Sequence, residues 1–211
     1  MKKFILLGVL LGFACQQVAA QEWIYHYGVR LGASTPYYSL SNVSNGTTRE
    51  VSKTLGLSVT GIIEAAPSKY FAMQTGMSFQ LLGAKLDYSE FGNTDVRQRT
   101  FWLQLPINFV AKLPLRDSSN FFLSAGPYGS LGLMGANSFE DTYTDNRTDF
   151  SFGKNGSQKR FDYGLNFSTG YQLKKGYNMA IGYMMGVADL STSTRYEQRN
   201  RAWTITVGYT F

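Results

Sequence analysis

Apolar and polar residues alternate with a period of two along most of this chain. The last ten residues show it most cleanly. Trp203, Ile205, Val207, Tyr209 and Phe211 are apolar, while Ala202, Thr204, Thr206, Gly208 and Thr210 are small or polar. Such alternation predicts a β-strand with two unlike faces. Ten residues also match a tilted strand that crosses a bilayer, about 9–11 residues. Seven earlier segments repeat the pattern: Tyr25 to Ser34, Lys53 to Glu64, Tyr70 to Leu82, Arg99 to Ala111, Asn120 to Leu133, Arg160 to Leu173, and Tyr177 to Ala188. Ile62 is an exception within the second.

The connections alternate in length. Long polar links run from Thr35 to Ser52, Gly83 to Gln98, Met134 to Lys159 and Asp189 to Asn200. Short ones, with turn residues such as Pro67 and Gly176, run from Ala65 to Lys69, Lys112 to Ser119 and Lys174 to Gly176. This rhythm predicts an eight-stranded antiparallel up-and-down barrel, with its termini and short turns in the periplasm and its long loops outside. Pro106 and Pro127 fall inside strands, where a closed barrel has no free edge for them. Each should mark a bulge or a skipped ladder bond.

A soluble barrel alternates too, so the chemistry of the two faces must choose. The polar faces carry Gly, Ser, Thr, Asn and Gln and few charges, which suits a narrow lumen better than a watery exterior. The apolar faces carry aromatics near strand ends, such as Tyr27, Phe71, Phe101, Phe109, Phe121, Tyr171, Trp203 and Tyr209. These resemble interfacial girdles. The expectation is an all-β transmembrane barrel with its apolar face in lipid. The chain's 22 glycines, 14 tyrosines and 15 phenylalanines agree with a β-rich protein.

Met1 to Ala20 reads as a secretory signal peptide, with Lys2 and Lys3, an apolar run from Phe4 to Ala14 and a small-residue cleavage site at Val18-Ala19-Ala20. Residues 21–211 would then be the barrel domain. A competing reading acylates Cys15, although Gly12-Phe13-Ala14 is a poor lipobox. Cleavage after Ala20 removes Cys15, the single cysteine, and with it any disulfide or thiol chemistry. Removing Lys2 and Lys3 from the 20 basic residues leaves 18 against 14 acidic ones, a net charge of +4. These charges are scattered, so nucleic acid is not an expected partner.

Four motifs resemble the PorT-like family of small outer-membrane barrels. Phe101-Trp102-Leu103-Gln104-Leu105-Pro106-Ile107 is similar to the family's aromatic-Leu-Glu-Ile-Pro-Leu strand. Phe122-Leu123-Ser124-Ala125-Gly126-Pro127-Tyr128 is similar to its Ala-Gly-Pro-Tyr strand, and Phe161-Asp162-Tyr163-Gly164-Leu165 to its Asp-aromatic-Gly strand. Val207-Gly208-Tyr209-Thr210-Phe211 is similar to its ending. The resemblance covers most of residues 21–211 and makes both prolines expected. It implies an outer-membrane location, and the family it points to includes a component of a protein-secretion and surface-attachment system, although most members have no assigned activity. Gln104 stands where the family often has Glu, so no role for that carboxylate carries over.

Candidate chemistry is sparse. His26 is the single histidine and lies among Trp23, Tyr25 and Tyr27 at the start of the first strand. It reads as a residue of an aromatic belt, at the wrong end for an outer-leaflet lipid hydrolase. Arg30, Glu64 and Asp162 should point into the lumen, where unpaired charge is costly. They form either an ion-path cluster or a salt-bridge network that plugs the barrel. The link from Met134 to Lys159 holds Glu140, Asp141, Asp145 and Asp149; Asp141 to Asp149 superficially suggests calcium but lacks EF-hand spacing, so a solvated surface loop is the reading, with adhesin or partner contact as the alternative. No catalytic group, cofactor or metal is expected.

Three functions remain open: a non-enzymatic barrel that meets partners through its outer loops, a narrow pore, or a lipid-modifying enzyme. The expected partners are outer-membrane lipid, the barrel-assembly machinery and secretion-system or surface proteins. In Gram-negative bacteria a final strand with aromatic residues resembles the signal read by that machinery, which assigns this role to Trp203, Tyr209 and Phe211. Deleting Phe211 should therefore slow the appearance of the heat-modifiable folded form in membranes. Wild-type assembly kinetics after the deletion would contradict that assignment.

Overall fold

The structure is a computed structural model and describes residues 23–87, 95–140, 147–153 and 156–211. Eight long strands make the wall. They are β1 (Ile24–Asn42), β3 (Gly56–Ser68), β4 (Phe71–Asp87), β5 (Asp95–Pro114), β6 (Asn120–Glu140), β8 (Phe161–Gln172), β9 (Tyr177–Gly186) and β10 (Tyr196–Thr210). Two short strands, β2 (Thr48–Glu50) and β7 (Arg147–Phe150), pair with the extended ends of β1 and β6. Each long strand is antiparallel to its neighbours in the chain. The sheet closes where β10 pairs with β1, from Gly28↔Thr210 to Asn42↔Tyr196. The described residues contain no helix.

Alternation sets the two faces. Odd-numbered apolar residues face out: Ile205 is 63% exposed, Leu105 55% and Val59 51%. Their even-numbered neighbours face the lumen. Water would make so large an apolar surface a liability, but hydrocarbon accepts it. Aromatics cluster on the outer face near both ends of the strands. Tyr177, Tyr209 and Phe211 meet edge to face with centroids 5.0 and 5.1 Å apart, and Tyr183 lies 4.8 Å from Trp203.

Ile62, the exception in the pattern, is buried on the lumen side. The prolines interrupt the ladder without shifting it. Pro106↔Tyr128 and Phe109↔Ala125 share one register, and the pairs between them are missing. The same holds between β4 and β5, where Thr75↔Ile107 and Ser78↔Gln104 flank a gap. The Thr75 hydroxyl donates to the Pro106 carbonyl at 3.0 Å and restores one bond there. The register shifts lie elsewhere, at Ala65/Ser68 and at Phe101/Trp102.

Most strands outrun the lengths read from the alternation, while β8 and β9 stop short of theirs, at Gln172 and Gly186. β1 continues past Ser34 to Asn42, β4 past Leu82 to Asp87 and β6 past Leu133 to Glu140, while β10 starts at Tyr196 rather than Ala202. β5 also runs on through Lys112 to Pro114, a stretch expected to be a turn. Beyond the bilayer the outer face meets water, and short strands and folded links bury residues of both parities, such as Pro36, Tyr37 and Tyr38, so period-two hydropathy fades while backbone pairing persists. The short turns are as tight as their residues imply. Gly176 has φ +90°, and its amide donates to the Leu173 carbonyl at 2.9 Å.

Gly126 sits against the proline gap, where an added Cβ would overlap the Ile107 carbonyl oxygen, whereas Gly129 has open space around it. Gly126→Val should therefore destabilise the barrel by about 1–3 kcal/mol in urea unfolding from lipid vesicles. Gly129→Ala should change it by less than about 0.5 kcal/mol. Equal effects would contradict this local packing.

Candidate functional site: the lumen and its mouth

The lumen is layered. Nearest the short turns, Ala66, Ala72, Val110, Phe122 and Ala180 pack as one apolar cluster. In the middle lies a polar cavity of about 130 Å³, lined by Ser58, Thr60, Ser78, Gln104, Asn166 and Thr206 among others. Toward the long links, Leu82, Trp102, Tyr128, Met184, Ala188, Leu190 and Ala202 form a second apolar cluster. The alternation predicts a lumen lined by small polar residues. They fill its middle, and large side chains such as Trp102, 1% exposed, close the space above.

The three charges expected in the lumen occupy two separate places. Arg30 and Glu64 lie toward the short turns and meet through Gln74. Its Oε1 accepts from Arg30 Nη1 at 3.3 Å, and its Nε2 donates to Glu64 Oε2 at 2.7 Å. Arg30 also donates to Asn178 Oδ1 at 3.0 Å and lies 5.6 Å from the Phe122 ring centroid. The direct ion-pair partner of Glu64 is Lys112. Lys112 was missed because it was assigned to a turn. The signal was present, since Leu113 and Leu115 continue the outward apolar series beyond Ala111.

Asp162 lies toward the mouth with different partners. Its Oδ2 accepts from Asn200 Nδ2 at 2.8 Å and from the Tyr128 hydroxyl at 3.2 Å. Its Oδ1, the Tyr38 hydroxyl and both amide atoms of Gln158 are buried without a hydrogen-bond partner. Nothing in the local sequence announces these partners, because β6 and β10, on either side of β8, supply them through the register of the sheet.

The mouth is closed by two links that fold inward. Phe152 packs edge-on against Trp102 at 5.1 Å and against Phe150 at 5.0 Å. Gln158 and Leu190 are fully buried. Backbone bonds tie the links to each other and to the wall: Lys159 N to Leu190 O at 2.9 Å, and Gly132 N to Arg160 O at 2.8 Å. Asp189 accepts from the amides of Ser191 and Gln198 at 2.9 and 3.0 Å and pairs with Lys159 at 2.8 Å. Partial burial opposes its charge, but Lys159 and those amides outweigh burial and hold its carboxyl below the usual range.

Outside this plug runs an open groove of about 1020 Å³, lined by Lys159, Phe161, Asp189, Ser191, Tyr196 and Glu197 among others. Of the acidic residues in the long link, Glu140 ends β6 and Asp149 lies in β7, whereas Asp141 and Asp145 fall outside the described residues. Met1 to Ala20 and Cys15 fall outside them too. No group of three metal-binding side chains occurs among the described residues. At the opposite rim, His26 Nδ1 lies 3.3 Å from the backbone oxygen of Phe211, beside Tyr27 and Tyr209.

A family model described as an outer membrane protein beta-barrel domain matches residues 19–192. The chain belongs to that family. It is an outer-membrane β-barrel protein. Similar solved structures include neisserial surface protein A, at 12% identity and TM-score 0.45, covering 87% of this chain and 95% of that one. Ail, the attachment invasion locus protein of Yersinia pestis, has 10% identity and TM-score 0.41, covering 89% and 99%. OprG of Pseudomonas aeruginosa has 15% identity and TM-score 0.41, covering 88% and 96%. No curated protein matches the chain in sequence.

Breaking a buried ion pair from one side leaves a charge without its partner and costs about 3–5 kcal/mol. Lys112→Met should destabilise the barrel by about that amount in urea. Pairing it with Glu64→Leu should restore most of the loss. A single variant as stable as the parent would show that Glu64 does not depend on Lys112.

Proposed function

We propose that this outer-membrane barrel is a closed scaffold that binds a protein partner at its mouth, as a PorT-like component associated with secretion. The observation that carries this reading is the plug. Two apolar clusters bracket the polar cavity, and inward-folded links seal the mouth. An eight-stranded barrel has room inside for side chains and little else. The accessible chemistry is then on the rim of the mouth, where the groove between the two links offers Tyr196, 41% exposed, beside Lys159, Asp189 and Glu197. A rigid wall carrying binding groups on loops is a common arrangement for recognition. In this reading the leader to Ala20 is removed, the termini and short turns face the periplasm, and the mouth faces outward. Glu64–Lys112, Arg30 and Asp162 stabilise the plug rather than guide ions.

A narrow pore is the second reading, favoured by the polar cavity. One pair of measurements separates the two. In planar bilayers the protein should show no stable conductance step. In affinity capture after membrane extraction, a partner recovered with the parent should be lost with Tyr196→Ala and Lys159→Ala, while heat-modifiable folding is retained. Steady single-channel currents would support the pore instead. Identical captured proteins from parent and variant would remove the groove from the account.

A further inference from the structure

The rim opposite the mouth carries a pattern that neither the plug nor the groove uses. Each of its three turns presents basic side chains: Lys69 between β3 and β4, Arg116 between β5 and β6, and Lys174 and Lys175 between β8 and β9. All four are exposed. Among the described residues none of them is in an ion pair. The one acidic side chain on these turns is Asp117. It is occupied locally, accepting from the Ser119 hydroxyl at 2.8 Å and the Ser119 amide at 3.1 Å. Glu64, just inside this end, is neutralised by Lys112.

Beneath each basic turn sits an outward aromatic. Lys69 lies 5.0 Å from the Tyr70 ring and precedes Phe71, which stacks on Phe109 at 6.4 Å. Phe121 lies below Arg116, and Tyr177 with Tyr209 below Lys174 and Lys175. Aromatic belts mark the level of lipid headgroups. The cations therefore stand at the depth of phosphate groups, at three places around the rim that are each two strands apart, about 10 Å or more. His26 occupies the fourth place, where β1 and β10 meet.

We propose that this rim is a selective contact for anionic phospholipid headgroups. A belt of unpaired cations over an aromatic girdle matches a negatively charged leaflet in both charge and depth, and each cation near such a surface adds to the attraction. Assigning the lipid to the periplasmic leaflet rests on the orientation given above. The selectivity itself does not, so its failure leaves the partner-binding reading standing.

The test is electron spin resonance of the folded protein in phosphatidylcholine vesicles, with trace lipids spin-labelled on the acyl chain. Labelled phosphatidylglycerol should associate with the barrel roughly three- to fivefold more than labelled phosphatidylcholine. The preference should fall to near one in 1 M salt, where screening acts within about 3 Å. It should also fall in the quadruple variant Lys69→Gln, Arg116→Gln, Lys174→Gln and Lys175→Gln. A control variant at the mouth, Lys53→Gln with Arg99→Gln, should keep it. A parent preference of one overturns the proposal, and so does a preference that the quadruple variant leaves intact or that the mouth variant abolishes.

Discussion

Hydrocarbon offers no hydrogen bonds, so every backbone amide and carbonyl that crosses it must be paired within the protein. That constraint requires the sheet to close, and the β1–β10 seam meets it. Closure then divides the side chains. One set faces lipid and must be apolar, and the other faces a lumen too narrow for anything but those side chains. The proline gaps show how firmly the register is held. Where Pro106 and Pro127 remove donors, the strands skip pairs instead of slipping, because a one-residue slip would exchange the lipid face for the lumen face.

The same division explains the interior. Charged groups survive there only with partners. Glu64 has Lys112 and Gln74, Arg30 has Asn178, Gln74 and the Phe122 ring, and Asp162 has Asn200 and Tyr128. Apolar clusters lie on either side of the polar cavity, with Trp102, Tyr128, Met184 and Leu190 toward the mouth and Val110 and Phe122 among small alanines toward the short turns. Exposed polar and charged groups lie at the two rims. One rim carries folded links and a groove, and the other carries basic turns above an aromatic belt.

The faces of the strands were legible in the sequence because lipid imposes a strict period of two between Tyr25 and Leu31 or between Ala202 and Phe211. The extensions toward Asn42, Asp87 and Glu140 were not, because water on the outer side and links folded over the mouth impose no period there. Lys112 could have been found by following Leu113 and Leu115 outward. Trp102 was hidden by its type, since an aromatic on a barrel strand suggests the lipid interface, yet its even-numbered place puts it inside. The pairing of Asp162 with Asn200 and Tyr128 depends on strand order and on the registers of β6, β8, β9 and β10. Phe152, Gln158 and Leu190 become part of the core only through links that fold back into the mouth, and no local pattern marks such a return.

The central claim is that the apolar face lies in lipid and the polar face in a lumen closed at both ends. Single spin labels along β10, placed in a chain that begins at Gln21 and therefore has no cysteine, measure this directly. Labels replacing Ile205 and Val207 should be relaxed by oxygen dissolved in the membrane and not by a water-soluble nickel complex. Labels replacing Thr204 and Thr206 should be poorly reached by either. Strong relaxation of the Thr204 and Thr206 labels by nickel would mean an open aqueous lumen, and nickel access at Ile205 and Val207 would mean that the faces are reversed.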